Sequence, residues 1–273
     1  MKIGIIGTGN MGRILAEALI DGNAVSPSSM MITNRTLTKA LEIQKIYPGL
    51  SVGKNAEEVA ENADAIFVCV KPHHVLGVLE TINPVLTKDK CIISITSPIS
   101  VEQIESKVDC SVMRIIPSIT NRALAGVSLF SIGTRCTTEW REALFTLFKK
   151  VSVPLEIEEN VTRVASDIVS CGPAFFSHLV QSFIDAAVKE TEIDKETATK
   201  LSSEMLIGLG ELLSQSHYTL QTLQEKVSVK GGITGEGINV LENETGDMFE
   251  KIFQATHKKF AKELKKIEEQ FGP

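Results

Sequence analysis

Gly7, Gly9 and Gly12 form a complete G-x-G-x-x-G that follows the apolar run Ile3–Ile6 and opens an amphipathic stretch from about Met11 to Ile20. Strand, glycines and helix in that order hold the pyrophosphate of a dinucleotide. Gly7 allows the tight turn, Gly9 lets the backbone approach the phosphates, and Gly12 lets the helix pack close to the strand. Thr8, Asn10 and Met11 fill the motif, and free N–H groups at the head of the helix face the phosphate charge. The chemistry implied is that of a redox cofactor.

Other candidate residues follow further strands, at the carboxyl edge where ligands gather in open α/β sheets. After Met30–Thr33 comes Asn34-Arg35-Thr36, with no carboxylate to hold the ribose hydroxyls of NAD. All three can donate hydrogen bonds to a 2′-phosphate, and a cation at a helix start opposes the helix dipole unless something anionic sits there. NADP, as NADPH, is therefore favoured over NAD. Val70-Lys71-Pro72 ends the strand Ala65–Val70, where Lys71 either contacts cofactor or substrate or is a solvated loop lysine. His73 and His74 point to different faces and no Cys or carboxylate cluster joins them, so they read as ordinary helix-start residues, and no metal is expected.

Two segments of the second half stand out. Ser170-Cys171-Gly172-Pro173 interrupts a helical pattern, with Pro173 suited to a first helical turn. Lys230-Gly231-Gly232-Ile233-Thr234 begins a loop with four glycines in the seven residues 231–237. Its successive N–H groups suit a carboxylate, and the alternative is a helix C-cap and connector.

The elements that must position these residues divide the chain in two. Up to Glu158, short Val- and Ile-rich runs alternate with helical patterns. Strands are expected at Lys2–Ile6, Met30–Thr33, Ala65–Val70, Ile92–Ile95, Val112–Ile116, Val127–Phe130 and Val153–Ile157. Near-continuous apolar runs of this kind form a parallel sheet buried on both faces, which makes residues 1–158 a doubly wound α/β domain. Residues 159–273 carry only helical periodicity. Pro173–Val188 is apolar around too much of its circumference for a surface helix, so it is expected to be buried on most sides, with a partner subunit as the economical cover.

Composition narrows the classes. A net charge of −6 argues against nucleic acid held by a general positive field. The run Ala65–Val70 is far too short to span a bilayer, and the N-terminus does not read as a signal peptide. Cys69, Cys91, Cys110, Cys136 and Cys171 show no C-x-x-C spacing, as expected of reduced thiols in the cytoplasm.

Taken in order, the glycine fingerprint, Asn34-Arg35, Val70-Lys71-Pro72, Gly172-Pro173-Ala174 and Gly231-Gly232 resemble pyrroline-5-carboxylate reductase over nearly the whole length. The resemblance implies a Rossmann domain, an interleaved helical dimer, and NAD(P)H-dependent reduction of a cyclic imine to L-proline, a step of proline biosynthesis. It also implies that the glycine-rich loop, Lys230 to Ile233, holds the substrate carboxylate, and that Thr234 hydrogen-bonds the ring nitrogen. The cofactor half matches the family and the substrate half departs from it. Met-Pro-Asn-Thr-Pro is replaced by Ile116-Pro117-Ser118-Ile119-Thr120, and the Ala-Gly pair beside the nicotinamide reads Ser97-Pro98. Ser-Pro-Gly-Gly-Thr-Thr becomes Val229-Lys230-Gly231-Gly232-Ile233-Thr234. These departures leave two readings open: a reductase with divergent substrate loops, or an NADP-binding regulatory paralogue with little turnover. A β-hydroxyacid dehydrogenase ranks lower, because Cys171–Ser182 lacks the lysine that family carries there.

Overall fold

The computed structural model describes residues 1–229 and 231–272. Short runs dominated by Ile, Val and Met pair as strands β1 (Ile3–Ile6), β2 (Met30–Thr33), β3 (Ser51–Val52), β4 (Ala65–Val68), β5 (Cys91–Ser94), β6 (Ser111–Ile116), β7 (Val127–Ile132) and β8 (Val153–Glu156). They form one sheet in the order β3-β2-β1-β4-β5-β6-β7-β8. Along the five adjacent inner strands β2, β1, β4, β5 and β6 only Met31 is not buried, and in the sixth, β7, only the end residues Val127 and Ile132, as a sheet covered on both faces requires.

Every neighbouring pair is parallel except β6 and β7, which run antiparallel with Ile115 opposite Phe130. The connection from Pro117 to Gly126 holds only a short 3₁₀ turn, Ile119–Ala123. That is too little chain for the crossover a parallel return needs, so the strand direction reverses. The sequence pattern missed this reversal and also β3, a two-residue edge strand. It placed the end of β4 two residues late, at Val70 instead of Val68.

Helices α1 (Asn10–Asp21), α2 (Leu37–Ile46) and α6 (Thr138–Phe148) contribute Leu15, Leu19, Ile43, Leu144 and Phe148 to one core cluster, facing Ile3, Ile5, Phe67, Ile93 and Phe130 of the strands. Helices α3 (Ala56–Asn62), α4 (Pro72–Ile82) and α5 (Val101–Glu105) contribute Val59, Leu79 and Ile104 to a second, facing Ile6, Ile66, Val68, Ile92 and Val112. The period of two along each strand sends alternate residues to the two layers.

Among the described residues no strand follows β8. The helices there are α7 (Thr162–Ser166), a π-helical turn Asp167–Cys171, α8 (Gly172–Glu190), α9 (Lys195–Ser214), α10 (Leu220–Val227), α11 (Ile233–Thr245) and α12 (Met248–Phe271). None is long and apolar enough to cross a membrane. The chain forms two compact units, Met1–Pro173 with Ala255–Pro273, and Ala174–Gln254. The division at Glu158 follows element type, whereas compactness returns the end of α12 to the sheet: Ile267 and Phe271 are buried in the second core cluster.

The expected burial of the helix after Pro173 does not occur within one chain. Ile184 is 4% exposed, but Phe176 and Phe183 are 61% and 67% exposed on the same helix. Leu201 and Ile207 of α9, with Val240 and Leu241 of α11, are open to a similar degree. An apolar surface of this kind calls for cover from outside the chain.

Phe130 is fully buried and packs edge-on against Phe148 at 5.3 Å and tilted against Phe145 at 4.4 Å between ring centroids. Phe130→Ala is expected to lower unfolding stability by about 3–5 kcal/mol, the cost of emptying an aromatic core position. Urea unfolding followed by tryptophan fluorescence measures it, and a loss below about 1 kcal/mol would mean that the site collapses around the gap.

Candidate functional site

The β1–α1 turn is forced by close backbone contacts. Gly7 has φ +102°, and a Cβ on it would lie 2.6 Å from the Cys69 carbonyl oxygen; a Cβ on Gly12 would lie 1.9 Å from the Gly7 oxygen. No side chain other than hydrogen fits at either place. Gly9, by contrast, has nothing within 4 Å of where its Cβ would stand, which leaves one side of the turn open to a ligand. The Gly7 N–H donates to the Thr33 carbonyl at 2.8 Å and the Cys69 N–H to the Ile6 carbonyl at 2.8 Å, tying the turn to the ends of β2 and β4. No side chain caps α1, and its first turn carries no acidic residue. The buried Thr8 hydroxyl has no hydrogen-bond partner. Bare N–H groups, an open glycine and an orphaned hydroxyl fit the pyrophosphate of a dinucleotide.

Asn34 also has a structural part. Its Oδ1 accepts the Thr8 N–H at 3.1 Å and its Nδ2 donates to the Thr36 carbonyl at 3.0 Å, so it braces the glycine turn against the end of β2. Arg35 and Lys71 are exposed and make no ion pair among the described residues. His73 and His74 follow in the first turn of α4, with ring centroids 4.1 Å apart. Desolvation, then the charges of His73, Arg35 and Lys71, hold His74 below the usual histidine range. Gly7, Thr8, Gly9, Asn10, Met11 and Gly12, with Asn34, Arg35, Val70, Lys71, Pro72 and Ser97, thus lie at the carboxyl ends of the adjacent strands β2, β1, β4 and β5. This is the switch point of a doubly wound sheet.

Ser97 is held by a residue that the pattern did not single out. Arg114, in the middle of β6, is fully buried. Its Nη1 donates to the carbonyls of Ser97 and Ile99, each at 3.2 Å, and its Nη2 to Ser131 Oγ at 2.9 Å and Thr162 Oγ1 at 2.7 Å. Both nitrogens also reach the carboxylate of Glu159, whose side chain is 52% exposed. One guanidinium therefore fixes the loop after β5 to the start of α7. A charged residue inside the apolar run Val112–Ile116 was the available signal, since arginine is almost never fully buried unless paired.

The segment Ser170–Pro173 does not break the helix. The chain widens there into the π turn and continues as α8. A π turn of this sort often marks a functional position, and Pro173 has no N–H to satisfy. Ser170 Oγ donates to the Pro117 carbonyl at 3.1 Å, and Ser118 Oγ to the Val169 carbonyl at 2.6 Å, so the segment after β6 and the π turn lock to each other. Beneath them the buried Asp167 accepts from Arg163 Nη2 at 2.8 Å and Thr256 Oγ1 at 2.7 Å, with His257 Nε2 at 3.7 Å. Burial raises the Cys171 thiol, which makes it no ready nucleophile.

Gly231, Gly232, Ile233 and Thr234 belong to the other compact unit, and Lys230 lies outside the described residues. Gly232 is the N-cap of α11 with no side-chain cap; its own N–H is taken by the Val229 carbonyl at 2.9 Å. Ile233 is 93% exposed and Thr234 is exposed beside it. No cluster of His, Cys, Asp and Glu among the described residues could hold a metal ion.

Arg114→Met is expected to cost about 1–3 kcal/mol for each of the two loop carbonyls left without a donor. Glu159→Gln, at the half-exposed end of the same pair, should cost under about 1 kcal/mol. Urea midpoints of the two variants separate these effects, and equal losses would reject the assignment of the loop's support to the guanidinium.

Residues 159–263 match the family model described as pyrroline-5-carboxylate reductase dimerisation, and residues 2–98 match that of the coenzyme F420-dependent NADP oxidoreductases. The chain is 52% identical over 271 residues to ComE operon protein 4 of Bacillus subtilis, covering 99% of each. It is 29% identical over 260 residues to pyrroline-5-carboxylate reductase 3 of the same organism, covering 95% of each. The fold is shared with Plasmodium falciparum pyrroline carboxylate reductase, a structure with NADP bound, at TM-score 0.81 and 24% identity over 98% of both chains. With a nucleotide-binding sheet ahead of a reductase dimerisation region, and relatives matched from end to end, the chain belongs to the pyrroline-5-carboxylate reductase family.

Proposed function

We propose that this chain is an NADPH-dependent reductase of a C=N bond, acting on 1-pyrroline-5-carboxylate to give L-proline, as a cytoplasmic homodimer or higher homo-oligomer. The observation that carries the cofactor half is the open glycine turn beside Arg35 and Lys71, cations without carboxylate partners. When bound, NADPH supplies a hydride to the imine carbon. Residues 1–158 would hold it: Gly7 to Gly12 around the pyrophosphate, Arg35 at the 2′-phosphate, and Val70, Lys71, Pro72 and Ser97 along its length. Residues 159–273 would assemble the oligomer, with Phe176, Phe183, Leu201 and Ile207 as apolar surface for a second copy.

For the substrate, the head of α11 offers N–H groups to a carboxylate, and Thr234 is the hydroxyl available to orient the ring nitrogen and relay a proton from water. Val229 and Ile233 offer no hydroxyl where the resemblance expects a serine and a threonine. A charge-assisted hydrogen bond contributes about 1.5–3 kcal/mol, so two such losses weaken carboxylate binding by roughly 100-fold or more. Those substitutions favour the second reading, an NADP-binding regulatory paralogue with slow turnover. Oxidation of NADPH by pure protein on adding pyrroline-5-carboxylate decides between them. A rate indistinguishable from the protein-free control would reject the reductase.

Arg35→Ala should raise the dissociation constant for NADPH about 10-fold or more, the scale of one lost charge-assisted contact, while leaving NADH nearly unchanged. Fluorescence titration with both dinucleotides is the check, and equal losses would contradict it. Thr234→Val keeps the shape and removes only the hydroxyl. Imine reduction is expected to fall about 10²-fold or more with NADPH affinity preserved, and undiminished turnover would make Thr234 a structural residue.

A further inference from the structure

We infer that Cys136 and Cys91 are a peroxide-reactive thiol pair: a hydroperoxide oxidises Cys136 first, and Cys91 then closes a disulfide with it that ties the head of α6 to β5. The pair lies apart from the nucleotide edge, and its chemistry depends on neither the cofactor nor the substrate proposed above.

The fold brings the two sulfurs together. Cys91 opens β5 and is fully buried on the face of the sheet that α6 covers, opposite Ser111 of β6 in the register. After β7 the chain turns back over this end of the sheet. The Gly133 N–H donates to the Val112 carbonyl at 3.0 Å, and the Cys136 N–H to the Gly133 carbonyl at 3.1 Å. The Thr137 N–H then donates to Ser111 Oγ at 3.4 Å and Trp140 Nε1 to the Asp89 carbonyl at 3.1 Å, which fixes the head of α6 against the start of β5. Cys136 thus packs on the core cluster that contains Cys91, and the two thiols share a side-chain hydrogen bond. Their other polar contacts are long: Cys91 Sγ lies 3.9 Å from the Ile92 carbonyl oxygen and Cys136 Sγ 3.7 Å from that of Thr137.

The two partners are unequal. Cys91 is sealed in the core, whereas Cys136 is only half-buried, between the exposed Arg135 and Thr137. The hydrogen bond from Cys91, with the charge of Arg141, holds the Cys136 thiol below its usual range against burial and the charge of Glu105. Burial above all holds Cys91 well above that range, so Cys91 is the donor of the shared bond. Burial also raises Cys69, Cys110 and Cys171. A thiolate within reach of solvent, with a second thiol against it, is the arrangement of an attacking and a resolving cysteine. Cys136 Sγ attacks one oxygen of the hydroperoxide: the S–O bond forms, the O–O bond breaks, and the leaving oxygen takes a proton from water and departs as an alcohol. Cys91 Sγ then attacks Cys136 Sγ: the S–S bond forms, the S–O bond breaks, and the departing hydroxide leaves as water with the Cys91 proton. The two thiols lose two electrons and two protons, and the hydroperoxide gains them.

The test treats the fully reduced full chain with hydrogen peroxide, stops the reaction with catalase, unfolds the protein, and counts and maps the remaining thiols by mass spectrometry. Wild type should lose two of its five thiols, with Cys91 and Cys136 joined within one chain, and recover both on adding dithiothreitol. Cys136→Ser should lose none at a dose that converts wild type completely. Cys91→Ala should lose one, stopping at a Cys136 sulfenic acid that dimedone traps. Cys110→Ala, which removes the other thiol acting on Cys91, should behave as wild type. Consumption of Cys69, Cys110 or Cys171 as fast as Cys136 would overturn the inference. So would a bridge from Cys136 to any sulfur but Cys91, or the survival of all five thiols. Nothing in this experiment reads turnover of NADPH, so its failure leaves the reductase proposal where it stood.

Discussion

The contact on which the site depends is between two pieces of backbone. Gly7 passes so near the Cys69 carbonyl, and Gly12 so near Gly7, that a single methyl group at either position would collide with main-chain oxygen. Backbone cannot yield as a side chain can, so β1, the end of β4 and the head of α1 hold fixed relative positions. Those positions leave the first N–H groups of α1 uncapped and bring the ends of β2 and β4 to either side of them. The capacity to cradle a pyrophosphate is thus a by-product of close packing, and it needs no functional side chain.

Side chains enter where the chain must be held without such contact. Beyond β5 the sheet no longer sets the path, and two buried charged residues take over. Arg114 gathers the Ser97–Ile99 loop and the start of α7, and Asp167 gathers Arg163, Thr256 and His257 under the π turn. Buried ionic groups of this kind add little net stability, because desolvation offsets attraction. Their use is geometric. Through its two terminal nitrogens the planar guanidinium reaches two loop carbonyls, two hydroxyls and a carboxylate at once, which no apolar side chain of equal volume could do. One segment so fixed, at Ser97-Pro98, is among those in which the chain departs from its family pattern.

The sheet and the nucleotide edge were legible because their signals are local. Ile3–Ile6 followed by three spaced glycines specifies strand, turn and helix without reference to anything distant. Asn34 was singled out but its brace to the Thr8 N–H was not, since that bond joins residues far apart in sequence. Arg114 was visible as an anomaly in an apolar strand, yet its partners come from three other segments. The reversal at β7 escaped because a short connection, not a residue pattern, dictates it. Ile267 and Phe271 were hidden behind the lysine-rich face of α12, whose one buried edge packs on the sheet unit.

The helical half poses a different physical problem from the sheet. Its core is not closed within one chain: Phe176, Phe183, Leu201, Ile207, Val240 and Leu241 remain largely open, while Ile184, Ala198 and Ser202 are among the few buried positions of α8 and α9. A helix with apolar residues around most of its circumference can satisfy them only by lying between other helices, and the chain supplies too few. In the homo-oligomer proposed above, a second copy would supply that cover, and folding of this region and association would be one process, with the stability of α8 and α11 tied to subunit concentration. That coupling would reach the loop at the head of α11. Gly231 to Thr234 have no core of their own to rest on, since Ile233 and Thr234 are both exposed. Ile233 and Thr234 are thus free of packing constraints from their own chain, whereas a side chain on Gly232 would meet the Val229 carbonyl and no side chain is open to Gly7 or Gly12. The same asymmetry accounts for a nucleotide edge that keeps its family pattern and a loop at the head of α11 that does not.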